Sequence, residues 1–134
     1  MNRTELKNKI IKFSNQLIVD KGFICSIDIL YELDYLKKSQ IEDWRFGKIQ
    51  YLEKVCGKNL GTLTFINKTI KEIAKDLNLR PSWTAYNKYG KGVKTRLIFS
   101  KTKDENIENA YATHYIDTER INEIKREKQA YNKS

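Results

Sequence analysis

The feature that most limits how this chain can fold is a change of period near residue 80. Leu63, Ile66, Ile70, Ile73 and Leu77 recur three or four residues apart, which puts them on one face of a helix running from Thr62 to Asn78. Asn78 and Pro81 close that helix, because asparagine tolerates the left-handed residue at a helix end and proline cannot continue the turn. Further on, Val93, Thr95, Leu97 and Phe99 alternate with Lys94, Arg96, Ile98 and Ser100. Alternation of this kind suits a strand with one face turned inward. The preceding "SWTAYNKY" is rich in aromatic and β-branched residues and "GKG" supplies a turn, so an antiparallel β-hairpin is expected over 82–101. Helices followed by a hairpin predict an α+β fold, mostly helical.

The remaining elements follow from the same patterns. Leu6, Ile10, Phe13 and Leu17 predict a helix from Thr4 to Asp20, with Thr4 as its cap and Gly22 as its stop. A short helix after Ser26 would turn Leu30, Leu33 and Leu36 inward. In "SQIEDWRFGKI", Ser39 and Glu42 stand in the Ser-x-x-Glu arrangement that satisfies two free N–H groups at a helix start, which predicts a helix beginning at Gln40 and ended or kinked at Gly47. Residues 49–56 allow another short helical piece, stopped by Gly57. Asp104 can cap a segment over 104–116, for which Ile107 and Tyr111 favour a helix and "YATHYI" a strand. The polar residues 119–134 are expected to be helical or frayed. A length of 134 residues suits one globular domain, read here as 1–118 with 119–134 as its tail.

Composition narrows the class. The hydrophobic share is 40% with 15 aromatic residues (2 Trp, 8 Tyr, 5 Phe), too many for a disordered chain. With no apolar run of about 18 residues and a charged amphipathic N-terminus, neither a membrane span nor a signal core is expected, and the anticipated location is cytoplasmic. Cys25 and Cys56 lie far apart with no histidine beside them, so they read as small core residues rather than metal ligands. No cofactor is expected, since no phosphate-binding glycine loop, nucleophile elbow or zinc-protease motif occurs.

Charge is unevenly distributed. The net charge is +9, and the stretch 80–103 holds Arg80, Lys88, Lys91, Lys94, Arg96, Lys101 and Lys103 with no Asp or Glu, a local +7. If the chain turns near Gly90 and Gly92, Lys88, Lys91 and Lys94 gather at the tip of the hairpin and Arg96 projects from its returning limb, with Trp83, Tyr86 and Tyr89 among them. Such cations release counterions from a phosphate backbone, aromatic faces stack on bases, and tip glycines admit a close approach. The seven cations and three aromatics are therefore candidate nucleic-acid contacts. The same lysines would also protect a sheet edge from aggregation.

A second constellation lies upstream. In "LYELDYLKKSQIEDWRFGK", Leu30 and Ile41 stand eleven residues apart and Trp44, Gly47 and Lys48 follow. This resembles the helix-turn-helix of phage-repressor-type DNA-binding proteins, covering about 20 residues. Tyr31 and Tyr35 occupy positions where that family has a small residue and a turn glycine, and the segment is slightly acidic. The resemblance implies that Ser39, Gln40, Arg45 and Lys48 read bases. A plain three-helix core with Trp44 packed inside is the alternative. Helices followed by a basic hairpin also resemble the winged-helix arrangement. Finally, "DWRFGKIQYLEKV", the basic stretch and "AYATHYI" together are similar to a family of small bacterial proteins without an assigned activity, which implies a bacterial or phage origin.

His114, the only histidine, stands near Asp117 and Glu119, a grouping that phosphodiester cleavage could use, but the spacing has no mechanical rationale and a lone histidine in an aromatic-rich segment reads as structural. The expectation is a non-enzymatic nucleic-acid-binding protein, DNA favoured over RNA because of the helix-turn-helix-like stretch. A protein-interaction module docking on an acidic protein or nucleoprotein complex is the competing class, and oligomeric state is left open.

Overall fold

The computed structural model describes residues 1–133. Helix α1 spans Arg3–Lys21 and begins two residues earlier than Thr4 would allow, because the Asn2 side chain accepts the Glu5 N–H at 2.9 Å and takes the cap. It ends at Gly22, as expected, in a left-handed conformation with φ 82° whose N–H donates to the Ile18 carbonyl. Strand β1 is Phe23–Ile24, and α2 (Ser26–Glu32) and α3 (Lys38–Arg45) follow. A 3₁₀ turn, Leu52–Val55, leads to α4 (Leu60–Asp76), whose cap is Asn59. Strand β2 (Arg80–Trp83), α5 (Glu105–Ala112), β3 (Thr113–Ile116) and α6 (Thr118–Lys133) complete the chain.

The core is the meeting of apolar stripes. Leu6, Ile10 and Leu17 of α1 and Leu63, Ile66, Ile70 and Ile73 of α4 are buried where the two helices pack together, and Ile29 and Leu30 of α2 join them. Trp44, Leu52 and Tyr111 fill the other side. Mostly helical with a small antiparallel sheet, the protein is an α+β domain.

The sheet is not where local sequence places it. Its order is β1–β3–β2, both pairings antiparallel, with Phe23 opposite Ile116 and Ser82 opposite His114. Both readings of 104–116 are realised in succession, since Asp104 caps α5 and "THYI" becomes the central strand. Within 82–101 the chain does double back, yet the pairing is a single bridge, Asn87 opposite Arg96, held by Lys88 N–H to Thr95 O and Leu97 N–H to Tyr86 O, both 2.8 Å. The regular strand in this region, β2, pairs instead with β3. The expected alternation holds only in its second half. Leu97 and Phe99 are buried, whereas Thr95 is exposed and Val93 stands 95% exposed at the tip, where no second layer faces the turn. Residues 119–133 continue as α6, and Arg120 ties that helix to α1 by donating twice to the Val19 carbonyl.

Candidate nucleic-acid interface

Trp44 organises the site. It is fully buried, its indole N–H donates to the Ile98 carbonyl at 2.8 Å, and its ring packs against Tyr86 and Phe99. This fixes α3 against the returning limb of the basic loop. Glu108 of α5 clamps that limb from the other side, its carboxylate accepting the Phe99 and Ser100 N–H groups and the Ser100 hydroxyl at 2.7–2.9 Å. Three donors on one carboxylate give a well-anchored base to a loop that is otherwise thinly paired.

The end of α3 and the tip of the loop are thereby joined. The Tyr89 N–H donates to the Arg45 carbonyl at 2.7 Å, and Arg45 Nη1 reaches back to the Asn87 carbonyl at 3.4 Å. The Arg45 guanidinium lies over both the Tyr86 and Tyr89 rings, 4.6 and 4.8 Å from their centroids, while Phe46 meets Tyr89 edge-on. Gly47, at φ 76°, allows the Lys88 side chain to cross it closely, since a Cβ there would come within 2.9 Å of that chain. Lower on the loop, the Arg96 guanidinium stacks 4.7 Å over Trp83, whose indole N–H donates to Asn109 of α5. Guanidinium on aromatic ring fixes the cation's plane without consuming its outward N–H donors.

Most of the expected contact residues are gathered here and open to solvent. Trp83 and Tyr89 are each 48% exposed, and Arg80, Lys88, Lys91, Lys94, Arg96, Lys101 and Lys103 are exposed, as is Lys48. Among the described residues the ion pairs are Lys21 with Asp28 and Arg120 with Glu123 and Glu127, so none engages a cation of the basic loop. Two expectations are corrected. Tyr86 is only 6% exposed and its hydroxyl bonds the His114 Nε2 at 2.5 Å, so its ring supports Arg45 from below and cannot stack on a base. Gln40 is occupied as well. The helix begins at Lys38 rather than Gln40, and the Gln40 side chain accepts the Lys37 N–H at 2.8 Å while its amide points to the Val55 carbonyl. Ser39 is exposed at the opposite end of α3 from Arg45.

The helix-turn-helix-like stretch does yield two short helices, and Leu30 and Trp44 are in the core with Ile41 packed against it. Its left-handed turn residue is Asp34, φ 65°, one place before the tyrosine that stands for the turn glycine. Tyr35 instead packs partly buried beneath Lys58.

His114 and Asp117 have structural partners. His114 stacks on Phe23, and burial lowers its pKa. Asp117 accepts the Arg120 N–H at the start of α6, and Glu119 is exposed. Cys25 and Cys56 are both buried, which pushes each thiol up to about 12, far from a reactive thiolate at neutral pH. No cluster of metal-ligating residues and no helix long and apolar enough to cross a membrane occurs among the described residues.

Three features of the site carry no local sequence signal: Phe46 as a partner of Tyr89, Glu108 as the clamp, and Asn109 as the acceptor for Trp83. Each depends on residues at least eight positions away. Compared with family models, curated proteins and solved structures, the chain matches none.

Proposed function

We propose that this chain binds nucleic acid without catalysing a reaction, laying the basic loop along phosphates and presenting the end of α3 beside it. The observation that carries this reading is the joining of Arg45 to Tyr89, which merges two regions more than forty residues apart into one face. Lys88, Lys91, Lys94 and Arg96 supply charge that no ion pair among the described residues engages, Lys48 extends it, and Trp83 and Tyr89 offer flat apolar surface between the cations. Phosphate contacts of this kind give affinity and register, while base preference falls to what enters a groove. Duplex DNA is the favoured polymer because α3 and the loop tip stand side by side, as a helix and a flanking wing would. RNA is the next candidate, through stacking on Trp83 and Tyr89.

Val93 supports a second reading. A valine 95% exposed at the tip of a basic loop suits a small apolar pocket on an acidic protein. One experiment separates the two. The purified chain is titrated by fluorescence anisotropy against random duplex DNA, single-stranded DNA and structured RNA at several salt concentrations. Tight binding to duplex DNA with a steep negative salt slope supports the proposal, and a stronger slope on RNA redirects it. Absence of binding to all three at low salt refutes nucleic-acid binding and leaves the protein partner.

A further inference from the structure

A cleft borders α5 on a side lined by none of the basic loop's cations. α2 packs against both α4 and α5, so those two helices flank it and leave between them an open cleft of about 600 Å³, a volume in the range of small-molecule sites. Leu60, Ile107, Ala110 and Tyr115 give it apolar wall, with Thr64, Asn106 and Thr113 among them.

The polar groups of the cleft are sorted by depth. At the inner end Asn67 accepts the hydroxyl of Ser26, which is buried behind the lining, at 2.6 Å, and the Tyr111 hydroxyl donates to Glu53 Oε2 at 2.6 Å. Glu53 Oε1 has no hydrogen-bond partner among the described residues, and no ion pair engages this carboxylate. A half-buried carboxylate without a cation is unfavourable left alone, and burial, opposed by the Tyr111 bond, raises its pKa. At the outer end Lys68 and Lys71, three residues apart on one face of α4, are exposed, and neither is in an ion pair among the described residues. The cleft thus presents a hydrogen-bond acceptor inside, apolar walls and two cations at the mouth. Its complement is a flat ring with N–H donors at one end and a negative group at the other.

We propose that this cleft binds a nucleoside monophosphate, with the base edge donating to Glu53 and the phosphate held by Lys68 and Lys71. Guanine fits Glu53 best, because its ring N–H and exocyclic amine lie side by side and together satisfy one carboxylate. Asn109 also lines the cleft and accepts from Trp83, so occupancy has an intrinsic fluorescence readout.

The test is calorimetric titration of the full chain with GMP, guanosine and inorganic phosphate, followed by tryptophan fluorescence. GMP is expected to bind one to one with a Kd of about 1 mM or tighter, guanosine about tenfold more weakly and inorganic phosphate without saturation. The double variant Lys68→Gln, Lys71→Gln should weaken GMP by about tenfold while leaving guanosine unchanged. Glu53→Gln should weaken both, and Ala110→Trp, which fills the cleft, should abolish both. GMP binding no stronger than that of phosphate would overturn the proposal. So would binding that the lysine pair and Ala110→Trp leave intact. Loss of GMP binding when Lys88, Lys91 and Lys94 are changed to Gln would overturn it too, placing the nucleotide on the basic loop.

Discussion

The backbone N–H of Tyr89, at the tip of the basic loop, donates to the carbonyl of Arg45, the last residue of α3. That single bond closes a ring of contacts in which the Arg45 side chain covers both Tyr89 and the buried Tyr86. The helix end and the loop tip therefore form one surface, and the long helix α4 that separates them in sequence does not separate them in space.

Arg45→Lys tests the stack. An ammonium keeps the charge but loses the planar face and the fork of donors. Unfolding in urea should change by less than about 1 kcal/mol, the size of a partly exposed cation–π contact, while affinity for the preferred nucleic acid falls about threefold to tenfold as Tyr89 loosens. Equal affinity for the two proteins would show that the stack does not shape the binding face.

Glu108→Gln tests the clamp. The amide can replace at most part of a carboxylate that accepts from Phe99, from the buried Ser100 N–H and from the Ser100 hydroxyl. The expected loss is about 1–3 kcal/mol in urea unfolding, the cost of leaving a buried donor unsatisfied beside the lost charge. An unchanged midpoint would mean that the limb is held by Trp44 alone.

The helices were the most legible part of the chain, and for a physical reason. A stripe such as Leu63 to Ile73 is local, and any partner that buries it leaves the helix in place, whereas Leu77, expected to extend it, lies past the helix end and is exposed. Ends were less legible, because Asn2 and Thr4 both offer a capping oxygen and the structure uses the earlier one. Strand partners were not legible at all. β2 has good local hairpin chemistry downstream, yet it pairs with β3 some thirty residues away, and nothing in either tetrapeptide names the other. The candidate site divides in the same way. Its charge was plain from the absence of acids between Arg80 and Lys103, whereas the burial of Tyr86 and the use of Gln40 as a cap depend on what packs above them.

Stability should depend on pH through His114. Burial lowers its pKa from 6.5, so between that lowered value and about pH 6.5 the unfolded chain binds a proton that the folded chain refuses, and stability falls as pH drops through this window. Glu53, with a pKa raised from 4.5 by burial, contributes with the opposite sign between that raised value and about 4.5. The difference between wild type and His114→Gln isolates the histidine. Urea midpoints should converge with the wild type's advantage shrinking as pH falls from 7 toward 5, and parallel curves would contradict the assignment.

The most direct test of nucleic-acid binding by the joined face is the salt dependence of a variant with Lys88, Lys91, Lys94 and Arg96 all changed to Gln. Each phosphate contact on duplex DNA contributes about 0.9 to the slope of log K against log salt. If all four side chains lie on phosphates, the slope should flatten by about 3 to 4 and affinity should drop alike for every sequence. A quadruple variant that binds with the wild-type affinity and slope would contradict the proposal outright.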